Sequence, residues 1–362
     1  MQELLKMMGG LSQFVRSGER VVLKPNLLTA AKPEKAATTH PAVVAAVAEM
    51  VVNEGANTII ADSPGAGFTY NEKTMHKVYH ACGMAEVAEK TGVELNFDTS
   101  HQRISFPEGS LIRGFDVITP VVTADGVINL CKLKTHGFLY MTGAVKNCFG
   151  VIPGLVKAGY HAKLQDPGRF ADMCLDLSLY VAPRLSIMDA VVGMEGNGPH
   201  NGQPRQVGFL LASADPLALD VVAGEIMGLE RKAHPVLLEA DKRGLTPNRL
   251  EDVEVIGVNT SELRIPGFKL PSTVTHGMGT VLVRLFAPLF KSGFTVRPQI
   301  IKDKCVACGA CRDACPVHVI SIENRYARIR HHDCIRCYCC HEMCAYDAIE
   351  LRGGLLYNLL HR

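Results

Sequence analysis

Residues 305–316 read CVACGACRDACP, and residues 334–345 read CIRCYCCHEMCA. Both runs space cysteines C-x2-C-x2-C-x3-C, and eight of the 13 cysteines in the chain occupy those positions. Three thiolates on a tight loop, with a fourth at the head of the following segment, suit a cubane iron–sulfur cluster; in two-cluster ferredoxins that fourth cysteine serves the other cluster. The spacing therefore predicts two [4Fe–4S] clusters. Cluster I takes Cys305, Cys308, Cys311 and Cys344, and cluster II takes Cys334, Cys337, Cys340 and Cys315. Zinc knuckles use paired Cys-x2-Cys elements rather than triplets, and a 362-residue chain with no recognisable signal peptide is a poor candidate for a disulfide framework. Ala345 stands where the first run has Pro316, and Cys339 is a ninth thiol beside Cys340, expected to be packed rather than ligating.

A small α+β ferredoxin-like two-cluster domain is thus expected over 294–362, ending in a short helical tail. Upstream, residues 263–293 break periodicity with Pro266, Gly267, Pro271, Gly277, Gly279 and Pro288, which marks a linker or interdomain segment. Inside it, residues 280–290 (TVLVRLFAPLF) are apolar but too short to span a bilayer, and Pro288 interrupts them. Packing between two domains is the expectation there, and membrane contact is not.

Residues 1–262 alternate β-rich runs with apolar-periodic helical ones. Strands are expected at Val21–Lys24, Thr58–Asp62, Val117–Thr119, Gly126–Cys131, Leu185–Asp189, Val207–Ala212 and Val253–Val258. Helices are expected at Pro41–Glu54, Pro167–Tyr180, Pro216–Met227 and Pro235–Arg243, after a short N-terminal one that ends at Gly9 and Gly10. Such alternation argues for an α/β domain, a mostly parallel sheet with helices on both faces. A net charge of +2 and 47% hydrophobic residues fit a globular chain and exclude nucleic-acid binding on charge grounds. Oxygen-labile clusters and reduced thiols point to the cytoplasm of a cell or compartment low in oxygen.

Polar residues gather just after the expected strands: Lys24 and Asn26 after the first, Asp62 and Ser63 after the second, Lys132, Lys134 and His136 after the strand ending at Cys131. Ligands of open α/β sheets bind outside the carboxyl ends of strands, so these turns should line one crevice. Lys146, Asn147, Lys157 and His161 follow downstream. So many cations at one mouth favour a small anionic ligand, a carboxylate or a phosphate. Lys24, Lys134, His136, Lys146 and His161 are the candidate acids and bases; Asn26, His40, Asp62, Ser63, Lys132, Asn147 and Glu195 are candidate ligand contacts. Thr39 is expected to cap the helix at Pro41, and Asp215 the helix at Pro216. Gly65-Ala-Gly67 lacks the third glycine of a dinucleotide fingerprint and no Walker motif occurs, so a flavin or other cofactor is left open without being asked for. Cys148, beside Lys146, is expected to be a small buried hydrophobe.

The motifs LKPN (23–26), THP (39–41), DSPG (62–65), NLCKLKTH (129–136), GAVKN-x2-G (143–150) and D-x5-EG-x-GP (189–199) resemble, in this order, the family catalogued as domain of unknown function 362. The resemblance runs from about Gly18 to the end and implies a C-terminal two-cluster ferredoxin. Members usually begin with a strand ahead of the first helix, which this chain lacks. The expected function is an iron–sulfur oxidoreductase that couples one-electron transfer to a reaction on an anionic ligand. Two other readings stay open: an electron-delivery or reductive-activation partner of another enzyme, and a non-redox Lys/His lyase or isomerase with structural or sensing clusters.

Overall fold

The computed structural model describes residues 1–65, 68–274 and 296–354. The apolar stretch at 280–290 and the tail after 354 lie outside the described residues.

Strand β1 (Arg20–Pro25) is the pivot of a seven-stranded sheet. On one side it pairs in parallel with β2 (Asn57–Ile60), which pairs with the short β3 (Glu94–Leu95). The hairpin of β4 (His101–Ser105) and β5 (Gly114–Ile118) stands apart as its own two-stranded sheet. On the other side of β1 lie β6 (Gly126–His136), then β8 (Leu185–Glu195), both parallel to it, and finally the antiparallel edge β9 (Gln203–Ser213); β7 (Tyr140–Thr142) folds back along the end of β6. The strand order reverses between β1 and β6, and in doubly wound sheets a crevice opens at such a point.

Helices cover both faces. In the helix Pro41–Asn53, Val44, Val47, Ala48 and Val51 follow helical spacing and are buried, joining Leu23, Ile60 and Ile128 in one core. Opposite, the helix Pro167–Val181 packs Phe170, Met173, Cys174 and Leu177 against Val22, Val127 and Phe149. Asp215 does cap Pro216–Met227, accepting from the Leu217 N–H at 2.7 Å.

Several expectations need correction. Strand β6 does not stop at Cys131: it runs through Lys132, Lys134 and His136 with all 11 residues buried, because buried partners satisfy the charges that read as a strand end. Val117 and Ile118 belong to the separate hairpin rather than to the main sheet, and Thr119 opens a short helix. Val253–Val258 forms no strand; its apolar side chains pack on the edge core without ladder pairing. His40, not Thr39, caps the helix at Pro41, its Nδ1 accepting from the Ala42 N–H at 3.2 Å. Thr39 instead ties the loop after β1 to β6, accepting from the Asn26 N–H and donating to the Leu130 carbonyl.

The C-terminal region is a small module in which β10 (Arg297–Ile300) pairs antiparallel with β13 (Ile349–Arg352), and β11 (Ile320–Glu323) with β12 (Tyr326–Ile329). Its Val296, Tyr338 and Leu351 enter the same core as Phe138 and Phe170. His341 Nε2 lies 2.9 Å from the Asn197 carbonyl, and Asn201 donates to the His341 carbonyl at 3.0 Å. The module is therefore packed on the large domain at the carboxyl end of β6.

Candidate functional site

Four short segments converge at the reversal between β1 and β6. Lys24, at the end of β1, is fully buried and pairs with Asp62 at 2.8 Å; the second oxygen of Asp62 accepts from the Leu27 N–H at 2.8 Å. Gly150 is required beside this pair, since a Cβ there would lie 2.0 Å from Asp62 Oδ1 and 2.6 Å from Lys24 Nζ. Lys134 donates to Asn26 Oδ1 at 2.8 Å and to the Ala37 carbonyl at 2.5 Å. Asn26 donates onward to Asn147 at 2.8 Å, and Asn147 to Asn129 at 2.7 Å. This chain of amides fixes the loop after β1 to the short helix Ala144–Asn147, and each link has a partner, as a buried polar network needs.

That helix is held from below by Asp220, whose two oxygens accept from the Ala144 and Val145 N–H groups at 2.5 and 3.1 Å. A Cβ on Gly143 would sit 2.0 Å from Asp220 Oδ1, so only glycine admits the carboxylate. Burial pushes Asp220 up to about 7, against the two amide donors that pull it down.

The resulting cavity, of about 50 Å³, is lined among others by Asn26, Asp62, Ser63, Lys134, His136, Thr142, Lys146, Asn147, Lys157, His161 and Glu342. His136 Nδ1 accepts from the Phe138 and Leu139 N–H groups at 3.0 and 3.2 Å, so its Nε2 carries the proton and lies in an ion-pair contact 3.1 Å from Glu342 Oε1. Burial, with Lys146 nearby, lowers His136 to about 4. Burial lowers His161 to about 3; its ring stacks on Phe170 with centroids 4.4 Å apart. Lys157 is pushed down to about 7 by burial and donates to Ser63 Oγ at 2.9 Å and to the Pro64 and Ile152 carbonyls. Four buried polar atoms on the wall have no hydrogen-bond partner; Asp62 Oδ1 and Glu342 Oε1 each have an ion pair, with Lys24 and His136, while Thr142 Oγ1 and His161 Nδ1 have neither. Among the described residues, Lys146 is the crevice lysine with neither an ion pair nor a hydrogen bond.

Lys24 underlies this wall, while three expected contacts stand off it. Lys132 pairs with Asp189 at 2.6 Å, on the far side of a register shift between Lys132 and Lys134. His40 is exposed and caps its helix, and Glu195 accepts from the Lys269 N–H at 3.1 Å to hold a loop. Cys148 is buried, and burial pushes its thiol up to about 11, as befits a packing residue. Sequence reasoning missed Thr142 and Glu342. Glu342 had a signal, a carboxylate between Cys340 and Cys344 inside a cluster motif; Thr142 had none.

In the C-terminal module, Cys305, Cys308, Cys311 and Cys344 line one cavity together with Ile300, Ile322, Ala327 and Ile349. Burial raises Cys311 to about 11, with Cys344, Cys305 and Cys308 the thiols that crowd it. Burial likewise raises Cys340, whose thiol neighbours include Cys337, Cys334 and Cys315. Backbone N–H groups of Ala327, Val319 and Ala348 donate to Cys305, Cys315 and Cys344 at 3.4, 3.4 and 3.2 Å. The two loops share a backbone device: Ala307 and Gly309 flank Cys308 at positive φ, and Arg336 and Tyr338 flank Cys337 likewise. Alternating backbone of this kind turns amides inward to make a nest for an anion. Among the described residues no three His, Cys, Asp or Glu close around a single ion. The donor set, its N–H···S bonds and its nests fit anionic iron–sulfur cubanes.

A doubly wound α/β domain with a cationic crevice at its switch point, joined to a cysteine-rich iron–sulfur module, defines the class. The chain belongs to the family described as "Domain of unknown function (DUF362)", whose model matches residues 21–225, and a "4Fe-4S binding domain" model matches residues 298–321. It is 36% identical over 295 residues to the "Thylakoid-associated protein sll1697" of Synechocystis sp., covering 79% of this chain and 88% of that one. A lactate racemase apoprotein structure from Thermoanaerobacterium thermosaccharolyticum aligns at a TM-score of 0.42 and 12% identity, over 60% of this chain and 51% of that one. No described helix is long and apolar enough to cross a membrane.

Proposed function

We propose that the protein is an iron–sulfur oxidoreductase in which two [4Fe–4S] clusters exchange single electrons with a small anionic ligand held in the crevice. One observation carries this reading. The helix Cys339–Glu342 is four residues long; it contains Cys340, which would hold cluster II, and ends in Glu342, a wall of the cationic cavity paired with His136 at 3.1 Å. Cluster and ligand would share one rigid element.

Cys334, Cys337, Cys340 and Cys315 would hold cluster II, and Cys305, Cys308, Cys311 and Cys344 cluster I. When bound, the clusters supply one-electron reduction and oxidation. The chain's own residues do the rest: Lys146 attracts the anion, the asparagine chain fixes the crevice floor, Tyr338 and Leu351 close the domain contact against water, and neutral His136 holds a proton on Nε2. Cys308 is exposed, whereas Cys337 and Cys340 are buried, so a partner redox protein would meet cluster I first. Such clusters and free thiols suit the cytoplasm.

Anaerobic protein should hold about eight irons per chain and bleach with dithionite. Small anions added to the reduced protein should then reoxidise it, and Cys340→Ser should abolish that step. If no small anion draws electrons and only a partner protein does, the crevice is a docking surface and the oxidoreductase reading falls.

A further inference from the structure

The cavity has a particular shortage. Most of its polar groups are already satisfied: Lys24 by Asp62, Lys134 by Asn26 and Ala37, Lys157 by Ser63 and Pro64, His136 by Glu342. Lys146 is left without an ion pair, and Thr142 Oγ1 and His161 Nδ1 are buried without a hydrogen bond. Thr142 is 3% and His161 2% exposed, so water does not serve them from outside. Leaving such groups bare costs more than a hydrogen bond returns, and so the arrangement is made for something that fills it.

The size and donor count of the gap narrow the occupant. A volume of about 50 Å³ holds roughly three to five water-sized groups, at 10–15 Å³ for each. Lys134 and Lys157 already spend their protons on neutral oxygens, so one uncommitted cation and two neutral groups remain to match the two oxygens of a single carboxylate. A phosphate dianion brings more oxygens and more charge than these three groups answer, and the wall has no arginine to fork onto it. Glu342 already sets one carboxylate against this wall, on His136. Resting on the proposed anion site, we infer that the crevice selects a monocarboxylate of one to three carbons, its oxygens held by Lys146, Thr142 and His161.

The test uses the anaerobic holoprotein at constant ionic strength, with acetate, glycolate, benzoate and inorganic phosphate as probes, read by calorimetry or by crevice NMR shifts. Acetate and glycolate should bind, and benzoate should be excluded by size. Phosphate should bind at least about tenfold more weakly than acetate, because its extra charge and oxygens go unanswered. Thr142→Val should weaken acetate about fivefold, and Lys146→Met at least about tenfold. Tighter binding of phosphate than of acetate would overturn the carboxylate assignment and leave the anionic crevice standing. Absence of binding by every probe would overturn both. Acetate binding that Thr142→Val leaves unchanged would place the anion elsewhere and end the assignment; should Lys146→Met fail to fold, the selectivity of the unmodified protein and the threonine variant still decide.

Discussion

At the residue scale the site is built from side chains held out of their usual ionisation range, and pH should expose this. His161, at about 3 in the folded chain against 6.5 free, binds fewer protons folded than unfolded. Its contribution to stability is therefore complete above pH 6.5 and is lost as pH falls towards 3. Asp220 has the opposite sign: raised from 3.8 to about 7, it contributes stability below pH 4 that is lost as pH rises through 7. Thermal unfolding across pH 3–8 should show His161→Phe flattening the acid side of the profile and Asp220→Asn flattening the decline towards neutrality. Gly150→Ala tests the packing of the same site. Its Cβ cannot coexist with Asp62 Oδ1 at 2.0 Å, so a loss of about 1–3 kcal/mol in denaturant midpoints is expected.

At the scale of elements, β6 is the strand that matters, and it is also where sequence and structure part. The periodicity of Val127 to Cys131 is plain, but Lys132, Lys134 and His136 read as crevice residues in a turn beyond a strand end. Nothing local says that Asp189, Ala37 and Glu342 will come to meet them, because those partners lie on other segments of the chain. Alternation alone would place all three on one face; the register shift after Lys132 sends that lysine to Asp189 and leaves Lys134 and His136 in the crevice. By contrast β1, β2 and the helices at Pro41, Pro167 and Pro216 were legible, because proline at the first turn, a polar cap and apolar spacing agree there. The Lys132–Asp189 pair gives a check. Removing one partner, as in Lys132→Met, should cost about 3–5 kcal/mol, whereas Lys132→Met with Asp189→Leu should regain most of it in a double-mutant cycle.

For the whole molecule, the decisive relation is between the module and the large domain. The cysteine motifs announced the module, but not where it docks; His341, Tyr338 and Leu351 carry that contact, and none of them is a motif cysteine. With Glu342 two residues from Cys340, charge in the crevice and charge on the cluster should sense one another. Glu342→Gln removes a negative charge beside cluster II, so its midpoint should rise by something on the order of tens of millivolts, measurable by anaerobic EPR titration. An unchanged midpoint would mean that crevice and cluster are electrically insulated.

The uneven burial of the two thiol sets carries a final consequence. Cys308 is exposed while Cys337 and Cys340 are buried, so under the two-cluster proposal dioxygen would corrode the outer cubane before the inner one. Brief aeration should leave a half-loaded protein of about four irons, its surviving metal centre sheltered beneath the large domain and its surface port for electrons gone.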